Sequence, residues 1–195
     1  MKKNNNNQVL LHACCAICSG YPIQKLQELG YDPIVYFFNP NIHPEVEYQK
    51  RLDAQKQLCD SLKCELIIED YTPNMYKEIM SGFSDYQEGS VRCKRCFEQR
   101  LLRTIQKAKE LGIDKYTTSI SVSPHKNFQF IKEVTENLSA YFQPEFLAID
   151  FKKENGFLKT NQISKDLSLY RQNYCGCEVS MQICKAMGTE DLKEQ

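Results

Sequence analysis

Toward the carboxyl-terminal end of the chain runs Tyr170-Arg171-Gln172-Asn173-Tyr174-Cys175-Gly176-Cys177, where two thiols stand one residue apart around a glycine. The glycine lets two sulfurs lie close together and clears room for backbone beside them. Alone, such a turn could carry two idle cysteines. Two other thiol groups argue against that: Cys14, Cys15 and Cys18 near the amino-terminal end, and Cys93 and Cys96 in the middle. Cys15–Cys18 and Cys93–Cys96 both have CxxC spacing, which at a turn entering a helix points both sulfurs at one ion or cluster. One CxxC is a weak signal; two of them with a Cys-x-Cys are a strong one for a metal or iron–sulfur centre. Seven such thiols exceed the ligand set of a single tetrahedral ion. They fit a four-cysteine cluster with a second metal on the remaining three. Cys14 and Cys15 are adjacent, so their side chains are expected to diverge and serve different centres; a vicinal disulfide is the alternative.

The surroundings of these thiols follow from composition. The chain has 195 residues, ten cysteines and a formal charge of zero. That length suffices for one domain with its own core, and zero charge gives no global field advertising a nucleic-acid partner. The start, Met1-Lys2-Lys3-Asn4-Asn5-Asn6-Asn7, is polar, and only Val9-Leu10-Leu11 follows where a signal peptide would need a longer apolar core. No stretch approaches the ~18 apolar residues of a membrane span. The expectation is a cytoplasmic, disulfide-free protein without a membrane partner, in which clustered cysteines mean metal or redox chemistry. Neither GxGxxG nor GxxxxGK[ST] occurs, so a bound nucleotide cofactor is unsupported.

The other candidate groups divide into packing and chemistry. Cys59, Cys64 and Cys184 lack partner spacing and read as small hydrophobes. His12 points away from Leu11 and reads as a satisfied buried histidine; His43 and His125 lie in loops. Arg92, Lys94 and Arg95 flank the middle CxxC, where they could meet phosphate, whereas Arg100, Arg103 and Lys107 read as a solvated helix face. Lys126, Lys152, Lys153 and Arg171 fall near the same edge, consistent with a nucleic-acid substrate.

The elements that must position these groups alternate. Residues 1–7 form a polar, disordered tail, and 8–195 a single catalytic domain. Strands are expected at 9–12, 34–38, 65–68, 115–120 and 146–149. Helices are expected at 19–29, 45–62 (with Val46, Leu52 and Leu58 inward), 75–80, 93–111, 128–137, 162–167 and 178–187. The stripe Phe97, Leu101, Ile105, Ala108 makes the helix at 93–111 the clearest of them, and Gly112 closes it. Such alternation gives βαβ units and an α/β fold: an open, mainly parallel sheet with helices on both faces, Rossmann-like and HUP-like. Ligands of such sheets gather at the strand carboxyl ends. Cys14-Cys15, Asn39-Pro40-Asn41, Ser121–Lys126 and Asp150–Lys153 all fall there, placing the metal site on that edge.

These motifs together resemble the QueH family of epoxyqueuosine reductases. The resemblance runs in order through His12-Ala13-Cys14-Cys15-Ala16-Ile17-Cys18, then Phe38-Asn39-Pro40-Asn41-Ile42-His43-Pro44 with Glu47-Tyr48 and Arg51, Gly89-Ser90-Val91-Arg92-Cys93-Lys94-Arg95-Cys96 with Arg100-Leu101, Ser123-Pro124-His125-Lys126-Asn127, and Tyr170 to Cys177. It implies reduction of the epoxide of epoxyqueuosine, at the wobble position of tRNA, to the alkene of queuosine with loss of water, the last step of queuosine synthesis. It implies a [4Fe–4S] cluster beside one mononuclear metal ion, iron or zinc, without cobalamin, and an electron donor whose identity is open. The family pattern admits Asp at the position of Cys18, which marks Cys18 as a ligand of the single ion and a catalytic position. It commonly has proline where this chain has Ile17, and more glycine near Asn155-Gly156-Phe157. With that reading, Cys14, Cys15, Cys18, Cys93, Cys96, Cys175 and Cys177 are the metal ligands. Tyr174 is a candidate proton donor, with Tyr170 or water as alternatives. Asn39, Arg92, Lys94, Lys126, Arg171 and Gln172 are candidate substrate contacts. A redox-silent zinc module that binds RNA, and a thiol-based sulfur-transfer enzyme using Cys14-Cys15 as nucleophiles, are the two other readings the residues allow.

Overall fold

The run Val9-Leu10-Leu11 offers no polar face, and a strand of that kind has to be covered on both sides. In the computed structural model of the chain, which describes residues 7–83 and 87–187, it is covered on both sides. The expected tail, residues 1–7, lies outside the described residues apart from Asn7.

Five parallel strands form one sheet: β1 (Gln8–His12), β2 (Asp32–Phe37), β3 (Leu66–Ile68), β4 (Lys115–Thr118) and β5 (Glu145–Phe146), in the order β3-β2-β1-β4-β5. The helices between them are α1 (Ala16–Glu28), α2 (Glu45–Leu62), α3 (Pro73–Ile79), α4 (Val91–Leu111), α5 (Phe128–Ser139), α6 (Gly156–Asp166) and α7 (Glu178–Ala186). The strand order reverses beside β1, so the carboxyl ends of β1 and β4 open onto the switch point where such sheets bind ligands.

The period of two in the strands divides the core. Val9, Leu11, Val35 and Phe37 pack with Leu26, Leu52 and Leu58 of α1 and α2. Leu10, Ile34, Tyr36 and Tyr116 pack with Ile105 and Ala108 of α4. The next layer of α4, Phe97 and Leu101, meets Ile131, Val134 and Leu138 of α5. Helix α4 stops as its sequence demands. Gly112 takes a left-handed conformation (φ 66°), and the Ile113 amide bonds to the Ala108 carbonyl while that of Gly112 bonds to Lys109.

Several expected boundaries shift. Helix α1 begins at Ala16 rather than 19, so Cys18 sits in its first turn. After Thr118 the fourth strand gives way to a 3-10 turn over Ser119–Val122, in which the Ile120 amide donates to Thr118 Oγ1. The fifth strand is only two residues long, and α6 starts at Gly156 instead of 162. Val46, expected in the core, is 66% exposed. Val46 lies about 100° round the helix from the buried Glu47, outside the arc of Tyr48, Arg51, Leu52, Gln55 and Leu58 that forms the buried face of α2.

Leu101→Ala empties a fully buried site between α4 and α5 and is expected to cost about 2–5 kcal/mol. Val46→Ala is expected to stay within about 0.5 kcal/mol. Urea unfolding of both variants measures the contrast.

Candidate metal centre and substrate cavity

Three thiol groups far apart in sequence reach the carboxyl edge of the sheet, each at a helix start. Cys15 precedes the first residue of α1, Cys93 and Cys96 lie in the opening turns of α4, and Cys177 precedes α7. Helix amino-termini carry partial positive charge and exposed amides, which favour thiolate over thiol.

Cys14, Cys15 and Cys18 form the tightest group. Their sulfurs all lie within 4.8 Å of one another, and those of Cys14 and Cys15 are 3.8 Å apart. The expectation that adjacent cysteines diverge fails here because the chain has left the strand. Cys14 gives its amide to Ser119 Oγ at 3.1 Å, and the turn into α1 brings both side chains to one side. Hydrogen bonds from Cys15 and Cys18 pull Cys14 well below the usual thiol range. The same bonds hold Cys18 well above it, and Cys15 is pushed up to about 12 by its bond to Cys14. Gln172 Nε2 donates to Cys15 Sγ at 2.9 Å, which ties the trio to the carboxyl-terminal loop.

The other four thiols share neighbours. Cys175 accepts from Lys126 Nζ at 3.1 Å, and Lys126 also acts on Cys93. Cys177 accepts from Arg92 Nη1 at 2.9 Å, and Arg92 borders Cys93. Tyr76 feels both Cys96 and Cys177. Burial opposes ionisation of Cys177, but its bonds with Ser180 and Arg92 outweigh it and hold the thiol below its usual range. Burial pushes Cys175 up to about 11, with Lys126 opposing, and burial likewise raises Cys93.

A cavity of about 710 Å³ opens over these groups. Cys14, Cys15, Cys18 and Cys175 face it, with Arg51, Arg100, Lys126 and Arg171, and with Phe97, Phe157 and Tyr174 as aromatic walls. Its floor is a chain of side-chain bonds: Arg100 Nη2 donates to Asn39 Oδ1 at 2.7 Å, and Asn39 Nδ2 to the Ala13 carbonyl at 2.8 Å. Beneath, His12 bonds through Nδ1 to Thr118 Oγ1 (2.9 Å) and through Nε2 to the Phe38 carbonyl (3.2 Å). Burial, helped by Arg100, lowers its pKa to about 3, so the ring is neutral and structural, as its sequence position implied.

The Cys-Gly-Cys loop is held by a residue outside it. Arg51 is 2% exposed. Its Nη1 and Nη2 donate to the carbonyls of Cys175 and Tyr174 at 3.0 and 3.1 Å, and its Nε to Glu47 Oε1 at 2.7 Å. Glu47 Oε2 accepts from the Tyr170 hydroxyl at 2.6 Å. Gly176 sits directly over this clamp with φ 128°. A Cβ there would stand 3.0 Å from Arg51 Nη1 and 3.2 Å from Ile42 Cγ1, so this position needs glycine for both conformation and space.

The geometry sorts the remaining sequence candidates. Lys126, Arg171 and Gln172 line the cavity. Asn39 is buried, with both ends of its amide engaged below the cavity, and positions rather than contacts a ligand. Lys94 instead pairs with Glu133 at 2.5 Å and lies over Phe130, and Arg95 pairs with Glu98 on the surface. The Tyr174 ring faces the cavity, while its hydroxyl donates to the His43 carbonyl. Arg100 departs most from expectation: it is 3% exposed, not solvated. Its neighbours Phe97, Leu101 and Thr104 mark the same buried stripe, and Arg51 likewise falls between Tyr48 and Leu52 on the buried face of α2. A charge inside an apolar helix stripe was the available signal for both. Cys59 and Cys64 pack into the core at the end of α2, outside the trio, and Cys184 lies 3.8 Å from the Asn173 carbonyl.

The comparisons with known proteins bear on this arrangement. The family model for epoxyqueuosine reductase QueH matches residues 9–183. The chain belongs to the QueH family. Curated QueH relatives include the epoxyqueuosine reductase of Streptococcus pyogenes serotype M1, 37% identical over 182 residues, covering 90% of this chain and 71% of the relative. That of Dehalococcoides mccartyi is 37% identical over 174 residues, covering 89% of this chain and 92% of the relative. Among solved structures, the U34-tRNA thiolase NcsA from Methanococcus maripaludis with its [4Fe-4S] cluster aligns with a TM-score of 0.50 at 12% identity, over 95% of this chain and 67% of that one. At that identity the likeness speaks for the fold, and it agrees with the parallel α/β sheet. Among the described residues no helix is long and apolar enough to cross a membrane.

Gly176→Ala is expected to strip metal from the purified protein, because the added methyl displaces either the loop or Arg51. Arg51→Met leaves Glu47 buried without its cation and is expected to cost about 3–5 kcal/mol. Metal analysis and urea unfolding of the two variants check this; normal metal content in Gly176→Ala refutes the clamp.

Proposed function

We propose that this chain is an epoxyqueuosine reductase that acts on tRNA, with residues 8–195 as a single catalytic domain carrying a [4Fe–4S] cluster and one mononuclear iron or zinc ion. The observation that carries the reading is the convergence of Cys14, Cys15 and Cys18 with the remote Cys175 on one cavity walled by aromatic and cationic side chains, with Cys93 sharing Lys126 with Cys175.

The donor set fits both groups. A tetrahedral ion with metal–sulfur bonds of about 2.3 Å separates its ligand sulfurs by roughly 3.8 Å, which is the Cys14–Cys15 distance of 3.8 Å. That supports Cys14, Cys15 and Cys18 together as the residues that would hold the single ion, in place of a division that separates Cys14 from Cys15. Cys93, Cys96, Cys175 and Cys177, which share Lys126, Arg92 and Tyr76, are then the four ligands of the cluster. When bound, the cluster supplies electrons singly and the ion an acid site for oxygen.

The chain's own residues do the rest. Converting the epoxide to the alkene takes two electrons and two protons and releases water, so an external electron donor is part of the reaction. Phe97, Phe157 and Tyr174 offer faces on which an extruded wobble base stacks and from which water is excluded. The Tyr174 hydroxyl, turned to the His43 carbonyl, suits it to stacking better than to proton delivery. Gln172 holds Cys15 and borders the base. Arg171, exposed at the mouth, is the cation placed to meet the phosphate backbone, while Lys126 is held by Cys175 and Glu88.

Anaerobically reconstituted protein is expected to be brown, with roughly four irons and four sulfides per chain besides the single ion, and to convert epoxyqueuosine in tRNA under a chemical reductant. Colourless protein holding only zinc overturns the reading. Cys18→Ala is expected to keep the visible spectrum but lose the single ion and nearly all turnover, whereas Cys18→Asp retains both in part; loss of the cluster spectrum in Cys18→Ala refutes the division of ligands. Arg171→Glu is expected to weaken tRNA binding and flatten its salt dependence, while Lys94→Glu, already paired with Glu133, changes it little.

A further inference from the structure

Among the buried cations of the site, Arg100 stands apart. Arg51 has Glu47, and Lys126 has Glu88 at 2.7 Å. Arg100 is buried, the oxygen it donates to among the described residues is that of the neutral Asn39 amide, and its Nε finds no partner among them. No carboxylate lies within ion-pair distance of it among those residues. A buried guanidinium in that state is costly unless an anion answers it. Cys14 and Cys175 line the cavity with Arg100, and Cys96 stands one turn before it on the buried face of α4. Those three thiols come from the three separate cysteine segments and from both ligand sets. Arg100 also lines the cavity, so it stands between the sets. Seven thiolates carry more negative charge than a cluster core and one divalent ion neutralise, so a cation at this point has work in the loaded site that it lacks in the thiol form.

We propose that Arg100 is a positioning residue whose guanidinium is the counter-cation shared by both thiol groups, holding metal in each and raising the reduction potential of the iron–sulfur centre. The inference rests on the metal-bearing reading above. A positive charge beside the centre stabilises the form with one more electron, which fixes the sign of the effect on potential. The same charge stabilises thiolate ligands whatever metal they hold.

Three full-length variants test this. Arg100→Gln removes the charge at similar size, Arg100→Lys keeps it, and Asn39→Asp answers it with a carboxylate while leaving Arg100 in place. Zinc is titrated into each metal-free protein against a chromophoric chelator, and the potential of each reconstituted protein is measured by dye-mediated titration. Arg100→Gln and Asn39→Asp are expected to bind zinc about tenfold more weakly and to show a more negative midpoint potential. Arg100→Lys is expected to stay within about threefold of the parent in zinc affinity and near it in potential. Parent-like affinity in Arg100→Gln, or equal losses in Arg100→Lys and Arg100→Gln with native circular dichroism, overturns the proposal. If Arg100→Gln does not fold, Asn39→Asp decides: parent-like zinc affinity there overturns it. The zinc arm reads out even if the parent takes up no cluster, a result that would instead sink the iron–sulfur reading.

Discussion

The site depends on one buried ion pair. Arg51 and Glu47, a turn apart on α2, lie beneath the Cys-Gly-Cys loop, and the arginine's two remaining donors hold the carbonyls of Tyr174 and Cys175. A buried pair of this kind contributes little to net stability, because desolvation offsets most of the attraction. Its contribution is position. The planar guanidinium fixes two successive carbonyls at once, and those carbonyls flank the bond on which both loop thiols turn. Tyr170 on Glu47 and the His43 amide on the Gly176 carbonyl, at 2.8 Å, close the same arrangement from either side. Without this clamp Cys175 would hang on a loop with no strand or helix to place it, and Cys177 would keep only its place at the start of α7.

The other thiols are placed by regular structure. The sheet reverses its order beside β1, so the end of that strand and the end of β4 open onto one crevice. Cys14 and Cys15 leave β1 there, and Ser119, just past β4, takes the Cys14 amide. Helix α4 packs its apolar stripe under the sheet and presents Cys93 and Cys96 at its amino-terminal end. Three helix starts therefore point at the thiols, and their partial positive charges add to those of Arg92, Arg100 and Lys126. A site assembled to gather anionic sulfur is the common consequence of these separate packing decisions.

Cationic residues near the site serve two purposes that only their partners distinguish. Lys94 and Arg95 sit between the two cysteines of α4 in sequence, yet a helix turns 100° per residue, and their side chains leave the thiol face for Glu133 and Glu98. Arg92 and Arg100 point inward on the same helix and meet sulfur and amide instead.

The sequence by itself determined the alternation of strands and helices, the apolar stripe of α4, the glycine that ends it, and the set of seven thiols, because each is a local pattern of residue type and spacing. It also marked the neutral, buried state of His12. It did not determine the grouping of the thiols, since whether Cys14 and Cys15 diverge depends on how the chain leaves β1 and on a hydroxyl 105 residues away. Nor did it place Arg51 and Arg100. A charge within an apolar stripe is tolerable only when distant groups answer it, and those groups, the loop carbonyls for one and the thiols for the other, come together only in the folded chain. Val46 was a misjudged spacing, six residues from Leu52 and so off the buried arc of α2 at about 100° per residue; the thiol grouping and the two arginines are of another kind. Tertiary packing decides these cases because burial is a property of the neighbourhood, and the neighbourhood is assembled from segments the local pattern does not contain.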